Sequence, residues 1–320
     1  MINYHDEDLF YNPSLHKFAL KRRQGHQNNI HQPIMKKRIT LLFTWLCLLC
    51  TATFAQTSAD SIAIVSAHWE TNVSEDGIVH KRALFPSLYK GPQHINLIEI
   101  PSSRKLHFGI GVDEKMTPIS KLAPEHQALA AINGSFYDMK RGNSVCYLRF
   151  GKKIVDTTTT SEFKIRVTGA VYTHKKKFRI LPWNPQIESK YKKKKGAVLA
   201  SGPLMMKDGE TCSWEMCDKS FIVTKHPRSA IFTTKDKKTV LITVDGRSKG
   251  NAIGVSISEL AHLIRILGGE DALNLDGGGS TTLWMEDAPD KGVLNCPSDN
   301  SKFDHKGERR IPNIIFVRKR

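Results

Sequence analysis

The sequence predicts an α+β fold: a single domain with a large mixed β-sheet and a few flanking helices. Three observations predict it. Short Val- and Ile-rich runs recur from Ile95 to the C-terminus, each bounded by Gly, Pro, Asn or Asp. A clear helical period marks the segment 257–267. No internal repeat or low-complexity block follows residue 56, and 320 residues with 40% apolar side chains suffice for a sizeable core. The same figures exclude a disordered, collagen-like or helical-repeat chain.

Taken in order, the chain opens on an address. Residues 1–34 are polar and patternless, as in an over-called extension, with translation expected to start at Met35. Lys36, Lys37 and Arg38 form a positive n-region, Ile39–Cys50 an apolar h-region, and Thr53-Phe54-Ala55 offers a cleavage site, so 35–55 reads as a signal peptide. That apolar run falls short of the ~20 residues that span a bilayer, so no transmembrane helix is expected in the mature chain. The expected location is periplasmic, cell-surface or secreted. Residues 56–82 are mixed and polar, a lead-in, and 83–320 form the domain.

Strands are expected at Ile95–Ile100, Leu106–Val112, Leu129–Ile132, Phe163–Tyr172, Gly196–Leu199, Thr239–Val244, Ala272–Leu275, Thr281–Met285 and Ile311–Val317. The helix 257–267 follows from Ile257, Leu260, Ala261, Ile264 and Leu267, with a Ser256/Glu259 capping box before it and Gly268-Gly269 after it. A shorter helix is expected around Ile119–Ala128.

The chain carries 48 Lys and Arg against 31 Asp and Glu, a net charge of +17. Removing 1–55 leaves 41 basic and 28 acidic side chains, or +13. The excess lies in Lys175–Lys177, Lys192–Lys195, Lys235/Lys237/Lys238 and Arg318-Lys319-Arg320. These runs sit in turn-like segments without interleaved stacking aromatics, which argues against a nucleic-acid partner. Solvated hairpin loops are the plain reading; attraction to anionic envelope polymers is the second. The mature chain keeps Cys146, Cys212, Cys217 and Cys296. An even number in an oxidising compartment favours disulfides, the sequence-local pairing being Cys212–Cys217 with Cys146–Cys296. A zinc site is the weaker alternative, since no C-x-x-C pair exists.

Three apolar runs end alike. Ala128–Ile132 leads into Asn133-Gly134-Ser135, Val240–Val244 into Asp245-Gly246-Arg247, and Ala272–Leu275, which contains Asn274, into Asp276-Gly277-Gly278-Gly279-Ser280. Each alone is an ordinary turn signal. Together they suggest strand ends on one edge, where ligands bind in α/β sheets. A triple glycine costs chain entropy and suggests bare amides that hold an anion. It matches neither the Walker spacing nor the dinucleotide fingerprint. Arg228, in His226-Pro227-Arg228-Ser229, and Arg247 could bind phosphate bidentately, or be surface ion pairs. No nucleophile elbow, H-E-x-x-H or Cys/His pattern is visible.

Ala130–Phe136, Ser201-Gly-Pro-Leu204 with Asp208-Gly209, Pro227–Ala230, Val244–Arg247 and Ala272–Ser280 occur in an order that resembles the phosphodiester glycosidase family. The resemblance covers roughly Ile95 to Val317, and Asn-Leu-Asp-Gly-Gly-Gly-Ser is its specific part. It implies an extracytoplasmic hydrolase that cuts between a sugar's anomeric carbon and a phosphodiester, with substrates of the N-acetylglucosamine-1-phosphodiester kind. Ser135 departs from the second glycine expected there. Phosphate is a good leaving group, so the site must chiefly clamp it and offer a carboxylate to the anomeric centre. On this reading Arg228, Arg247 and the amides of Gly277, Gly278, Gly279 and Ser280 form the clamp. Asp276 is nucleophile or general base with Asp245 as its partner, Asn133 hydrogen-bonds a sugar hydroxyl or acetamido group, and Gly134 and Asn274 are further substrate-binding residues. No cofactor is required; a structural calcium held by the aspartates is the alternative. A non-catalytic phosphoglycan-binding protein, or a phosphodiesterase cutting P–O, are the rivals.

Overall fold

Alternating side chains in the central strands divide the interior into two apolar layers, and that division places the site. The computed structural model describes residues 58–192 and 195–320. The signal 35–55, the extension 1–34 and Lys193-Lys194 lie outside the described residues. Strands are numbered along the chain. The largest sheet has eight, in the order β1 (Glu70–Val73), β2 (Val79–Leu88), β3 (Gly91–Ile100), β14 (Thr239–Val244), β13 (Arg228–Thr234), β15 (Gly269–Asn274), β11 (Leu204–Lys207) and β12 (Glu210–Thr211). Five strands form the second: β7 (Lys153–Asp156), β6 (Leu148–Phe150), β10 (Ala197–Ser201), β8 (Gly169–His174) and β9 (Lys177–Pro182). Four form the third: β16 (Leu283–Met285), β5 (Ala130–Asn133), β17 (Ile311–Lys319) and β4 (Leu106–Thr117). The described helices are α1 (58–65), α2 (Ile119–Glu125), α3 (Thr160–Ile165), α4 (Pro185–Lys190), α5 (Lys219–Val223) and α6 (Ile257–Ile266).

The α+β class and the single domain stand. The sheet expected as one is three, and the strand pairs within them run antiparallel, as in β13 against β14 and β15. Ile95, Leu97, Ala230, Phe232, Val240, Ile242 and Ala272 face one layer, against Leu260, Leu263 and Ile264 of α6 and Ile64 of α1. Their neighbours Ile98, Ile231, Leu241 and Leu273 face the other, against Leu148, Leu199, Ile132 and Ile315 of the smaller sheets. Central strands of the large sheet are covered on both faces, which is why they read as continuous apolar runs. The segment 58–82 contributes Ile64 and Ile78 to these layers. Among the described residues no helix is long and apolar enough to cross a membrane.

Local signals set α6. Ser256 Oγ accepts from the Glu259 amide at 3.2 Å, and Glu259 Oε2 accepts from the Ser256 amide at 2.9 Å. Gly268 at φ +85 turns the chain out. The run 163–172 is corrected: its first part continues α3, capped by Thr159 at the Glu162 amide, and only Gly169–His174 is strand. The Glu162–Arg166 ion pair, one helical turn apart, favours that helix. The shorter helix stops at Glu125, because Gln127 takes φ +53 and the Ala128 amide turns back to Ala123.

The expected disulfides are also corrected: all four thiols are free. Cys146 lies in the aromatic cluster of Tyr147 and Trp183. Cys296 lies instead beside His94 and Asp245. Cys212 rests on the inner apolar layer and the Cys217 amide bonds the Trp214 carbonyl. The pairing rule looked at spacing along the chain, whereas partners are set by packing.

Candidate active site

The antiparallel register gathers the three polar strand ends. Arg228, first in β13, lies opposite Val244, last in β14, and Ala230 lies opposite Asn274, last in β15. Asn133, last in β5, crosses from the third sheet. Its Nδ2 donates to the Asp276 carbonyl at 2.6 Å, and its Oδ1 accepts from Ser229 Oγ at 2.6 Å and the Thr282 amide at 3.1 Å. Asn133, Arg228, Arg247 and Asp276 therefore share one locality.

Asp276 is half-buried on the loop that leaves β15. Its Oδ1 accepts from the Gly277 amide at 2.9 Å. Burial pushes its carboxyl above the ordinary value, while the Ser280 hydroxyl, Arg166, the Gly277 amide and Arg309 pull the other way. Burial likewise raises Tyr137, which also feels Ser280, Asp276 and Arg309. Three guanidinium groups, Arg166, Arg228 and Arg309, act on the carboxyl, and a fourth, Arg247, stands against Gly278. Arg166 is gripped bidentately by Glu162 at 2.8 and 3.0 Å and lies 3.6 Å over the Phe136 ring. Arg228 is 2% exposed. Its Nε donates to Val255 O and its Nη2 to Phe221 O and Thr224 O, with Phe221 4.8 Å beneath the charge. Burial, aided by Arg166, lowers its pKa to about 10, and Asp276 opposes the fall. Arg309 is held by Asp299 at 2.9 Å, and Arg247 is exposed. His226, beside Arg228 and Arg247, is lowered by burial and by both.

The three glycines make room for close neighbours, and two of their amides are engaged. The Gly277 amide serves Asp276 and the Gly278 amide serves Pro227 O at 2.9 Å. A β-carbon would stand 2.6 Å from Pro227 O at Gly277, 2.8 Å from Arg247 Nη2 at Gly278 and 2.3 Å from Arg309 Nη2 at Gly279. Each glycine thus admits a different neighbour, two of them guanidinium groups. Beside this loop the groups placed to meet an anion are the Arg247 and Arg309 guanidiniums.

Other expected contacts are corrected too. Asp245 is 1% exposed, and its oxygens are taken by His94 Nδ1 at 2.6 Å, Asn295 Nδ2 at 2.8 Å and the Cys296 amide at 3.0 Å. A carboxylate so enclosed cannot act on a sugar; through Asn295, which also donates to Thr281 O, it holds the segment after the glycine run. Asn274 is fully buried and donates to Gly202 O and Leu275 O. Asn133 has both polar atoms engaged, and Gly134 makes room for Asn313 Oδ1, 2.0 Å from where its β-carbon would be. The Ser135 hydroxyl donates to Ala200 O at 2.6 Å.

Sequence reasoning did not find Arg166, Arg309, Tyr137 or His226. Arg166 lay in a run read as strand; Arg309 is in a loop with no motif; Tyr137 and His226 each adjoin a residue that was singled out. Among the described residues, His94, Asp245 and Cys296 offer metal-ligand atoms within 4.8 Å of one another, all buried. Asp245 is already satisfied there by hydrogen bonds. Asp276 faces guanidinium groups rather than further carboxylates, a setting that suits an anion and not calcium.

A family model described as phosphodiester glycosidase matches residues 126–318. A Bacillus subtilis (strain 168) protein, "SPbeta prophage-derived uncharacterized protein YomE", is 33% identical over 105 residues, which are 32% of this chain and 16% of that protein. The fold is similar to a Synechocystis hypothetical protein, with TM-score 0.60 and 15% identity over 79% of this chain and 64% of that one. It is also similar to the zebrafish N-acetylglucosamine-1-phosphodiester alpha-N-acetylglucosaminidase catalytic domain, with TM-score 0.56 and 17% identity over 80% and 83% of the two chains.

Proposed function

This chain belongs to the phosphodiester glycosidase family, and from that premise we propose that it is an exported hydrolase cleaving the sugar C1–O bond of a sugar-1-phosphodiester. The observation that carries the reading is Asp276: one carboxyl, raised by burial, set among Arg166, Arg228 and Arg309, with Arg247 against Gly278 on the same loop, where a phosphodiester would be neutralised. Arg247 and Arg309, against Gly278 and Gly279, are the arms that meet the phosphate. Arg228 is fixed by three carbonyls and supplies charge from below. Cleavage builds positive charge at the anomeric carbon and leaves a phosphate monoester, which the guanidinium groups stabilise. Asp276, the acidic group of this cluster, attacks the anomeric carbon or activates the water that does. N-acetylglucosamine-1-phosphodiesters are the substrate class, no cofactor is called for, and residues 35–55 direct export.

A panel of alkyl and aryl sugar-1-phosphodiesters, hydrolysed in oxygen-18 water by wild type and Asp276→Asn in parallel, tests this. Sugar is released with the label in the sugar, and the variant loses at least about 100-fold in kcat. Label in the phosphate would make the protein a phosphodiesterase; tight binding without release would make it a binding protein.

A further inference from the structure

Two of the basic runs that the catalytic reading leaves unused, Lys175–Lys177 and Lys235/Lys237/Lys238, come together in the folded chain. The hairpin between β8 and β9 and the hairpin between β13 and β14 flank a groove of about 810 Å³. Lys176, Lys177 and Arg179 line it from the first hairpin, Lys237 from the second, and Arg104 from the loop before β4. Lys207 is neutralised there by Asp271 at 3.1 Å and by Asp208. Among the described residues the other five make no ion pair, so like charges face one groove uncompensated. The aromatic pair Phe108 and Phe178, with ring centroids 4.7 Å apart, also lines it. These residues lie far apart in sequence, and the sequence alone reads their runs as separate solvated loops.

The groove is not an arm of the catalytic cluster. β13 begins at Arg228 by the site and ends at Thr234 by the groove, and seven residues of strand span roughly 20 Å. β14 runs the reverse course, from Thr239 at the groove to Val244 at the site. A chain held here is therefore held at a distance from the bond that is cut.

We propose that this groove is an anchoring site for a polyanionic, phosphate-bearing glycan chain, with the five cations pairing its phosphates and the phenylalanine pair taking the apolar faces of its sugars. Charge complementarity argues for a polyanion; the choice of a glycan among polyanions rests on the phosphodiester glycosidase reading. Binding at several phosphates releases counterions, so affinity must fall steeply with salt.

The test uses the mature chain and a fluorescein-labelled glycerol-phosphate decamer carrying N-acetylglucosamine on each unit. The salt slope of log affinity is expected at about −3.5, from ~0.7 per phosphate contact over five cations. Combining Lys176→Ala, Lys177→Ala and Arg179→Ala weakens binding at least about ten-fold and reduces the slope to about −1.4. The control combination Lys152→Ala, Lys153→Ala and Lys190→Ala, which removes equal charge from other exposed positions, changes binding less than about two-fold. Equal loss in the two combinations would overturn the proposal. So would tighter binding of a 20-mer DNA or of phosphatidylglycerol vesicles through the same three cations, or equal binding of the decamer without sugars. Release of sugar from small phosphodiesters is unchanged in the groove variant, so failure of the anchor and failure of the catalytic reading show in different measurements.

Discussion

Asp276 is caught between burial, which favours its neutral form, and arginines, a hydroxyl and an amide, which favour its charge; burial wins. A raised carboxyl binds its proton more tightly in the folded chain than in the unfolded one. Its contribution to stability is therefore complete at pH below the ordinary carboxylate value of 3.8 and is lost as pH rises through the higher folded value. Asp276→Asn removes that loss. Thermal midpoints of the two proteins should lie closest near pH 4, with the variant moving ahead as pH rises toward neutrality. A variant that melts earlier at every pH would make the aspartate a structural residue. The identity of Asp276 was legible in the sequence, from a polar residue ending an apolar run. Its neighbours were not: Arg166 and Arg309 come from segments 110 and 33 residues away in sequence. The error over Asp245 has the same origin, since its partner His94 is 151 residues distant.

At the scale of elements, short-range chemistry settled most of the outcome. The Ser256/Glu259 box and Gly268 bound α6 because caps act within one turn. The segment 163–172 reads as strand from its apolar residues because Thr159, the cap that starts α3, lies before that run. The glycine loop shows how one motif carries several constraints. Gly278 sits at φ +61, where a side chain costs about 1 kcal/mol, and its β-carbon would press on a movable guanidinium. Gly277 would press on the Pro227 backbone carbonyl, which cannot swing aside. Gly278→Ala should therefore lower kcat/KM about ten-fold by displacing Arg247 while shifting the thermal midpoint only modestly. Gly277→Ala should cost more in stability. Parallel melting and kinetic measurements separate the two, and equal profiles would show that the loop responds as one unit.

Across the whole molecule, two apolar layers on the faces of one large sheet hold the strands in register, and the site and the basic groove occupy opposite ends of the same strands. Among the described residues all four thiols are free, so no crosslink between them restrains this arrangement. The thermal midpoint should then be the same, within about 2 °C, with and without dithiothreitol. A disulfide contributes about 2–4 kcal/mol, so a drop of roughly 4 °C or more on reduction would contradict the free thiols. By itself the sequence determined the strands, the main helix and the polar residues that end three strands, because hydrophobic period, caps and turn residues act over a few positions. Only the tertiary structure decided which of those polar groups remain available. Asn133 and Asp245 are satisfied by partners brought in from distant segments, and the Asn274 amide nitrogen donates to Gly202 O; a buried polar group must find such partners or lose stability. Asp276 and Arg247 keep part of their surface open because the fold leaves them at the strand ends.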